Sequence, residues 1–194
     1  MTTNVVTPAN LVQGPADVYA GGFGATEPAD SAVATAPGAG WTGVGGTQGG
    51  VTAEIDNTYD QLTVDQLVDP VGARLTKRQI QVTLKLAEAT LENLNLVLNN
   101  LLTMGSGTGY ATADLQTTTS ATQPTYAALL IDGWAPALAT GAAARRRIIV
   151  RKVLSQAKVQ FSYQMQNNNV YDCTLTAFYV SQSISPIHIV DQTA

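Results

Sequence analysis

One cysteine, Cys173, and one histidine, His188, are present in 194 residues. A single thiol excludes an internal disulfide framework and a cysteine-ligated zinc site. A single imidazole disfavours a transition-metal centre. Charge is scarce as well: charged residues make up 12% of the chain, about half of the usual ~25%. One sign of charge is missing from the first third, because residues 1–73 contain no Lys or Arg. With a pI near 4.7, a free-standing nucleic-acid binder is excluded, since its affinity comes mainly from bases that neutralise phosphates. Apolar runs such as Ala127–Ile131 are strand-sized, far short of the ~18 residues of a membrane helix. The opening MTTNVVTPANLV has no basic region and no long apolar core, so no signal peptide is expected. Synthesis in a reducing, intracellular compartment fits the lone cysteine.

Uncharged polar residues take the place of charge: Thr, Gln and Asn together number 49. A polar surface with few charges favours association. The charges that exist are segregated. Residues 1–73 carry eight acids, and residues 74–158 carry all ten bases with only four acids. Such asymmetry asks for a partner, which another copy of the chain can supply.

The length suits one domain with an arm. Residues 1–16 read as the arm and residues 17–194 as a single domain. Asp17–Phe23 is a short candidate strand, and residues 24–50 have the Gly, Ala, Pro and Thr content of a loop, with Trp41 as its anchor. Val51, Ala53, Ile55 and Tyr59 alternate against Thr52, Glu54, Asp56 and Thr58, and Ile80, Val82, Leu84 and Leu86 alternate against Gln79, Gln81, Thr83 and Lys85. Both patterns predict half-buried antiparallel strands. The stretch between them, about residues 60–74, is too long for a tight turn and is expected to be a functional loop.

A helix is predicted over about residues 90–103. Thr90 is its N-cap, Glu92 lies in its first turn, Leu91, Leu94, Leu98, Leu101 and Leu102 form its apolar stripe, and Gly105 stops it. The segment from Gly105 to Thr125 has linker composition. Strands are then expected at Tyr126–Trp134, Arg147–Val153, Val159–Met165 and Tyr171–Tyr179, the last two forming a hairpin around Asn167–Asn169, with a final edge strand at Ile187–Val190. The resulting fold class is mainly β: two packed antiparallel sheets, sandwich- or barrel-like, with one amphipathic helix.

No catalytic constellation emerges. The GSGTG run at Gly105–Gly109 follows a helix rather than a strand, and no helix follows it, so it lacks the geometry of a phosphate loop. Cys173 sits on the apolar face of a strand with no activator beside it. Glu54 and Asp56 share a strand face and read as a solvated face rather than as an acid–base pair. Arg145, Arg146, Arg147, Arg151 and Lys152 form the one dense basic patch. The expected role is docking against acids of a neighbouring copy, in preference to phosphate contact or protection of a strand end. No enzyme activity, cofactor or metal is expected.

The order of DVYAGGFGATEPAD, then GGVTAEID, then Asp65, Gln66, Val68, Asp69, Val71, Gly72, Arg74, Thr76, Lys77 and Arg78, then LAEATLENL resembles the major tail tube proteins of long-tailed, noncontractile bacteriophages, particularly those of actinobacterial hosts. The similarity runs over residues 17–102, nearly half the chain, and contains no catalytic motif. It implies two packed β-sheets and a helix, hexameric rings whose inner sheets join into a β-barrel, and stacking of rings into a tube that conducts genome DNA into the host. It further implies location in the virion tail after synthesis in the host cytoplasm. The implied partners are other copies, the tape measure protein, and terminator and tip proteins. Double-stranded DNA would pass without specific binding, and no membrane insertion is implied. Thr52, Glu54, Asp56, Thr58, Gln79 and Gln81 become candidates for the lumen. Asp60, Asp65, Asp69 and Arg74 become candidates for a loop reaching the adjacent ring. The alternatives are a head-decoration or tail-terminator protein and, further off, a carbohydrate binder using Trp41 and Trp134.

Overall fold

Alternation along a chain marks strands covered on one face, and unbroken apolar runs mark strands covered on both. The computed structural model describes residues 6–117, 121, 123–166 and 168–193 and contains both kinds. The elements are β1 (Asp17–Gly22), β2 (Trp41–Gly43), β3 (Thr47–Leu62), β4 (Gly72–Leu86), α1 (Leu91–Val97), β5 (Leu102–Gly107), β6 (Tyr110–Leu115), β7 (Ala127–Ala135), β8 (Ala144–Ser155), β9 (Tyr171–Ala177) and β10 (Ile187–Asp191). Eight strands form one sheet in the order β2-β1-β7-β8-β9-β4-β3, with β10 added to β8, and β5 and β6 form a second, two-stranded sheet. Neighbouring strands run antiparallel. The fold is therefore mainly β, with a large antiparallel sheet, a small one and one helix, an architecture compatible with a β sandwich.

Strand β7 is the doubly covered one. Its Ala127, Leu129 and Ile131 join the main core, and Ala128 and Leu130 join a second cluster with Trp41 and Ile149. Strand β8 divides its other edge: Arg146–Val150 pair with β10, and Val153–Ser155 pair with β9. The main core lies between the sheet and α1. Val82, Leu84 and Leu86 of β4 and Tyr171, Cys173 and Leu175 of β9 meet Leu94, Leu96 and Val97 of the helix.

The helix is shorter than its stripe predicts. Thr90 caps it as expected, its hydroxyl accepting from Asn93 N–H at 3.2 Å, but α1 ends at Val97. Asn99 and Asn100 both adopt φ of 58°, the left-handed conformation that Asn tolerates better than most residues. Their turn sends Leu102 into β5. The asparagines also bracket the helix to the sheet. Asn99 donates to Ser155 O at 2.9 Å and accepts from Ser155 N–H at 2.6 Å, and Asn93 donates to Val44 O at 2.8 Å.

Three further expectations are corrected. The linker after Gly105 contains the β5–β6 hairpin, closed at Gly107 and Tyr110 with Gly109 at φ 84°; its Gly and Thr are turn and edge chemistry. Val159–Met165 forms no strand despite its alternation: the end of β8 takes the β9 edge over Leu175–Ala177, where a hairpin around Asn167–Asn169 would place Val159 and Phe161, and the ladder stops at Gln156 N–H to Thr174 O, 2.9 Å. Asn167, within the expected turn, lies outside the described residues. The long loop at 60–74 is shorter than expected: Asp60 pairs with Arg74 and Leu62 with Gly72, so both its ends are strand and only residues 63–71 form the turn. A register shift between Thr58 and Tyr59 breaks the parity of the pattern there, so alternation no longer advertises the strand.

Candidate assembly surfaces

The β3–β4 hairpin leaves the body of the protein. Strand β9 pairs with β4 only over Gln81–Leu86, so residues 54–80 form a two-stranded arm. Nine further residues of β4 beyond that pairing, at ~3.3 Å each, make it extend by about 30 Å. Its two faces differ chemically.

One face is polar. Cross-strand partners Thr52–Thr83, Glu54–Gln81, Asp56–Gln79 and Thr58–Lys77 share it, and β9 continues it with Asp172 opposite Lys85, Thr174 opposite Thr83 and Thr176 opposite Gln81. All six residues expected to share a face therefore do so, three strands wide. Of the two bases on this face, Lys85 is paired with Asp172 at 3.4 Å. The other, Lys77, continues the phase of Gln79 and Gln81 one step further and was not among the expected residues.

The opposite face continues the core and is largely apolar, interrupted by Asn57 opposite Arg78. Val51, Ala53, Ile55 and Tyr59 align with Leu84, Val82, Ile80 and Leu75. Val82 and Leu84 are covered by the body, and Ile80 is the last to be buried; Ile55, Tyr59 and Leu75 are exposed. At the tip, Val64, Leu67, Val68 and Val71 are exposed beside Asp65 and Asp69, with Val68 wholly so. The four expected loop residues thus divide: Asp65 and Asp69 lie in the turn, and Asp60 and Arg74 face each other in the strands. Exposed apolar area on this scale marks an interaction surface.

The basic patch does not serve as expected. Arg147 is 1% exposed and makes a two-pronged pair with Asp132 at 2.7 Å in both contacts, while also donating to Thr35 O at 2.7 Å and Ala32 O at 3.3 Å. Arg146 pairs with Asp191, and Arg151 with Glu27. Arg145 lies over the Trp134 ring at 4.1 Å, and Lys152 over Tyr126 at 4.3 Å. A guanidinium buried with its carboxylate is held inside by the cost of stranding a charge. Arg146, Arg147 and Arg151 are thus paired with acids of the same chain, and Arg147 and Arg151 both reach residues of the first third. Together with a His188–Asp30 contact of 3.0 Å, they clamp residues 24–40 as a strap over the second core. Trp41, whose Nε1–H donates to Thr26 O at 2.9 Å, anchors that strap. The acid count of the first third was a signal for Glu27 and Asp30 alone, and their partners lie more than a hundred residues away.

The remaining titratable groups show no cooperative arrangement. Burial pushes the Cys173 thiol up to about 12, so the thiol is no nucleophile at neutral pH. Hydrogen bonds from Arg146 hold the Asp191 carboxyl below its ordinary range. Among the described residues, no group of three or more His, Cys, Asp or Glu side chains is placed to hold a metal ion, and no helix is long and apolar enough to cross a membrane. No protein-family model matches the chain. A search of curated proteins likewise returns no match.

Proposed function

We propose that the chain is a structural virion protein that assembles as hexameric rings stacked into the tail tube of a long-tailed, noncontractile bacteriophage, a conduit for DNA. The observation that carries this reading is the arm. A soluble monomer has no use for a hairpin whose apolar face and tip stand in water; a subunit does. Strand β3 adds to the argument, because it ends the sheet order with a 16-residue open edge. Long open edges invite pairing with another chain, and closing sheets into a ring removes them.

The polar face supplies the lining. Threonine and glutamine offer DNA little to adhere to, and on this face Glu54, Asp56 and Asp172 outnumber Lys77 and Lys85, which favours sliding over arrest. The arm tip is the contact to the adjacent ring, and head-to-tail contacts of that kind repeat without closing. Tape measure, terminator and tip proteins would then meet the inner wall and the two tube ends. A carbohydrate site is less well supported, because Trp41 is buried and Trp134 lies under Arg145.

Electron microscopy of the purified chain tests the reading. Long hollow tubes are expected. Discrete rings that never stack would favour a terminator, and monomers at all concentrations would overturn assembly altogether.

A further inference from the structure

The arm tip has a counterpart at the other end of the sheet. Strand β4 begins at the tip and ends at Leu86, which pairs with Tyr171, the first residue of β9. The chain entering β9 therefore lies at the end opposite the tip, about 50 Å away over the 15 residues of β4.

Residues 158–166 of that entering chain carry an unspent strand pattern. Val159, Phe161, Tyr163 and Met165 alternate with Lys158, Gln160, Ser162 and Gln164, yet no ladder forms. Val159 packs on the core and Phe161 sets its ring edge-on to Tyr171 at 6.1 Å, while Tyr163 and Met165 stand in solvent at 84% and 101% exposure. The polar row lines a groove of about 400 Å³ with Asn168, Asn169 and Asp172. At its root the Asn169 side-chain oxygen is buried without a hydrogen-bond partner, an arrangement that a rearranged backbone would relieve.

Charge identifies the occupant. The tip, residues 63–71, has two acids and no base; the groove has Lys158 and Asp172, and with Asp172 paired to Lys85 at 3.4 Å the receiving side keeps one unmatched base among the described residues. Each segment exposes apolar side chains: Val64, Leu67, Val68 and Val71 on one side, Phe161, Tyr163 and Met165 on the other. We infer that residues 158–166 receive the arm tip of a second copy stacked head to tail, and complete a strand only in that contact. The inference rests on the stacked-tube reading and names the receiving surface that this reading leaves open.

Paired thiols test it, because Cys173 is buried and introduced cysteines report alone. Val68→Cys combined with Tyr163→Cys should give a ladder of covalent multimers on oxidation of the assembled protein, and neither single variant should. Hydrogen exchange on the unaltered chain provides a second reading. The amides of residues 158–166 should exchange at least ~100-fold more slowly in the assembly than in the protomer, the slowing that ladder pairing brings. If tubes form and the double variant cross-links no more than the single ones, or those amides exchange equally fast in both states, this receiving surface is wrong and the tube reading stands. If the double variant fails to assemble, exchange on the unaltered chain decides. If the unaltered chain itself never assembles, both readings fall.

Discussion

Strand β4 passes through two environments in fifteen residues. From Ile80 to Leu86 every second side chain is buried against α1 and β9; from Gly72 to Arg78 every residue is exposed, Leu75 among them. Strand β3 accompanies both stretches, with register shifts. What differs is the third element. Where β9 and the helix lie alongside, apolar burial stabilises the fold at ~25 cal/mol per Å². Where they end, the same area is unspent and available to another molecule. The body is complete in itself, and the arm is complete only in company.

The sharpest way to break this contrast is to strand a charge in the body. Asp132→Ala leaves Arg147 buried without its carboxylate and should destabilise the protomer by ~3–5 kcal/mol, read by urea unfolding. A loss under 1 kcal/mol would mean that the carbonyls of Ala32 and Thr35 suffice and that the strap, not the pair, holds this region.

Next comes a matched pair on β4 itself. Leu86→Ala should cost ~2–5 kcal/mol of protomer stability. Leu75→Ala should change it by no more than ~0.5 kcal/mol and yet suppress assembly, seen by sedimentation of both variants. Equal unfolding midpoints for the two would erase the distinction between body and arm.

The smallest effect tests the edge of the body. Because Arg146 lowers the Asp191 pKa, the pair contributes stability that is present above the unfolded value of ~3.9 and is lost as pH falls through the folded one. The carboxyl carbon resonance of Asp191 should titrate below ~3.9, and Arg146→Gln should return it to about that value. An unchanged midpoint in the variant would show that β10 is held to β8 by its ladder alone.

Much of this was legible in the residues. The strands at Asp17, Tyr126, Arg147, Tyr171 and Ile187 fall within a few residues of their expected places, and the six residues of the polar face share it, since period-two alternation is a property of the strand alone. The Thr90 cap was equally local. The helix end was not, because a left-handed Asn99 is stabilised by its side chain bonding to Ser155, 56 residues onward. The β5–β6 hairpin hid in linker-like composition, and the outer arm hid behind a register shift. Val159–Met165 shows the reverse failure, a good strand pattern whose neighbouring edge was already taken.

The sequence by itself determined a mainly β chain with one capped helix, a polar strand face and charges segregated along its length, because these depend on neighbours in the chain. Tertiary structure decided where the charges went. It paired Arg146, Arg147 and Arg151 of β8 with Asp191, Asp132 and Glu27 inside one protomer, and it left the arm, not the basic patch, exposed. Pairing of that kind depends on which strands lie side by side, and no local pattern encodes it.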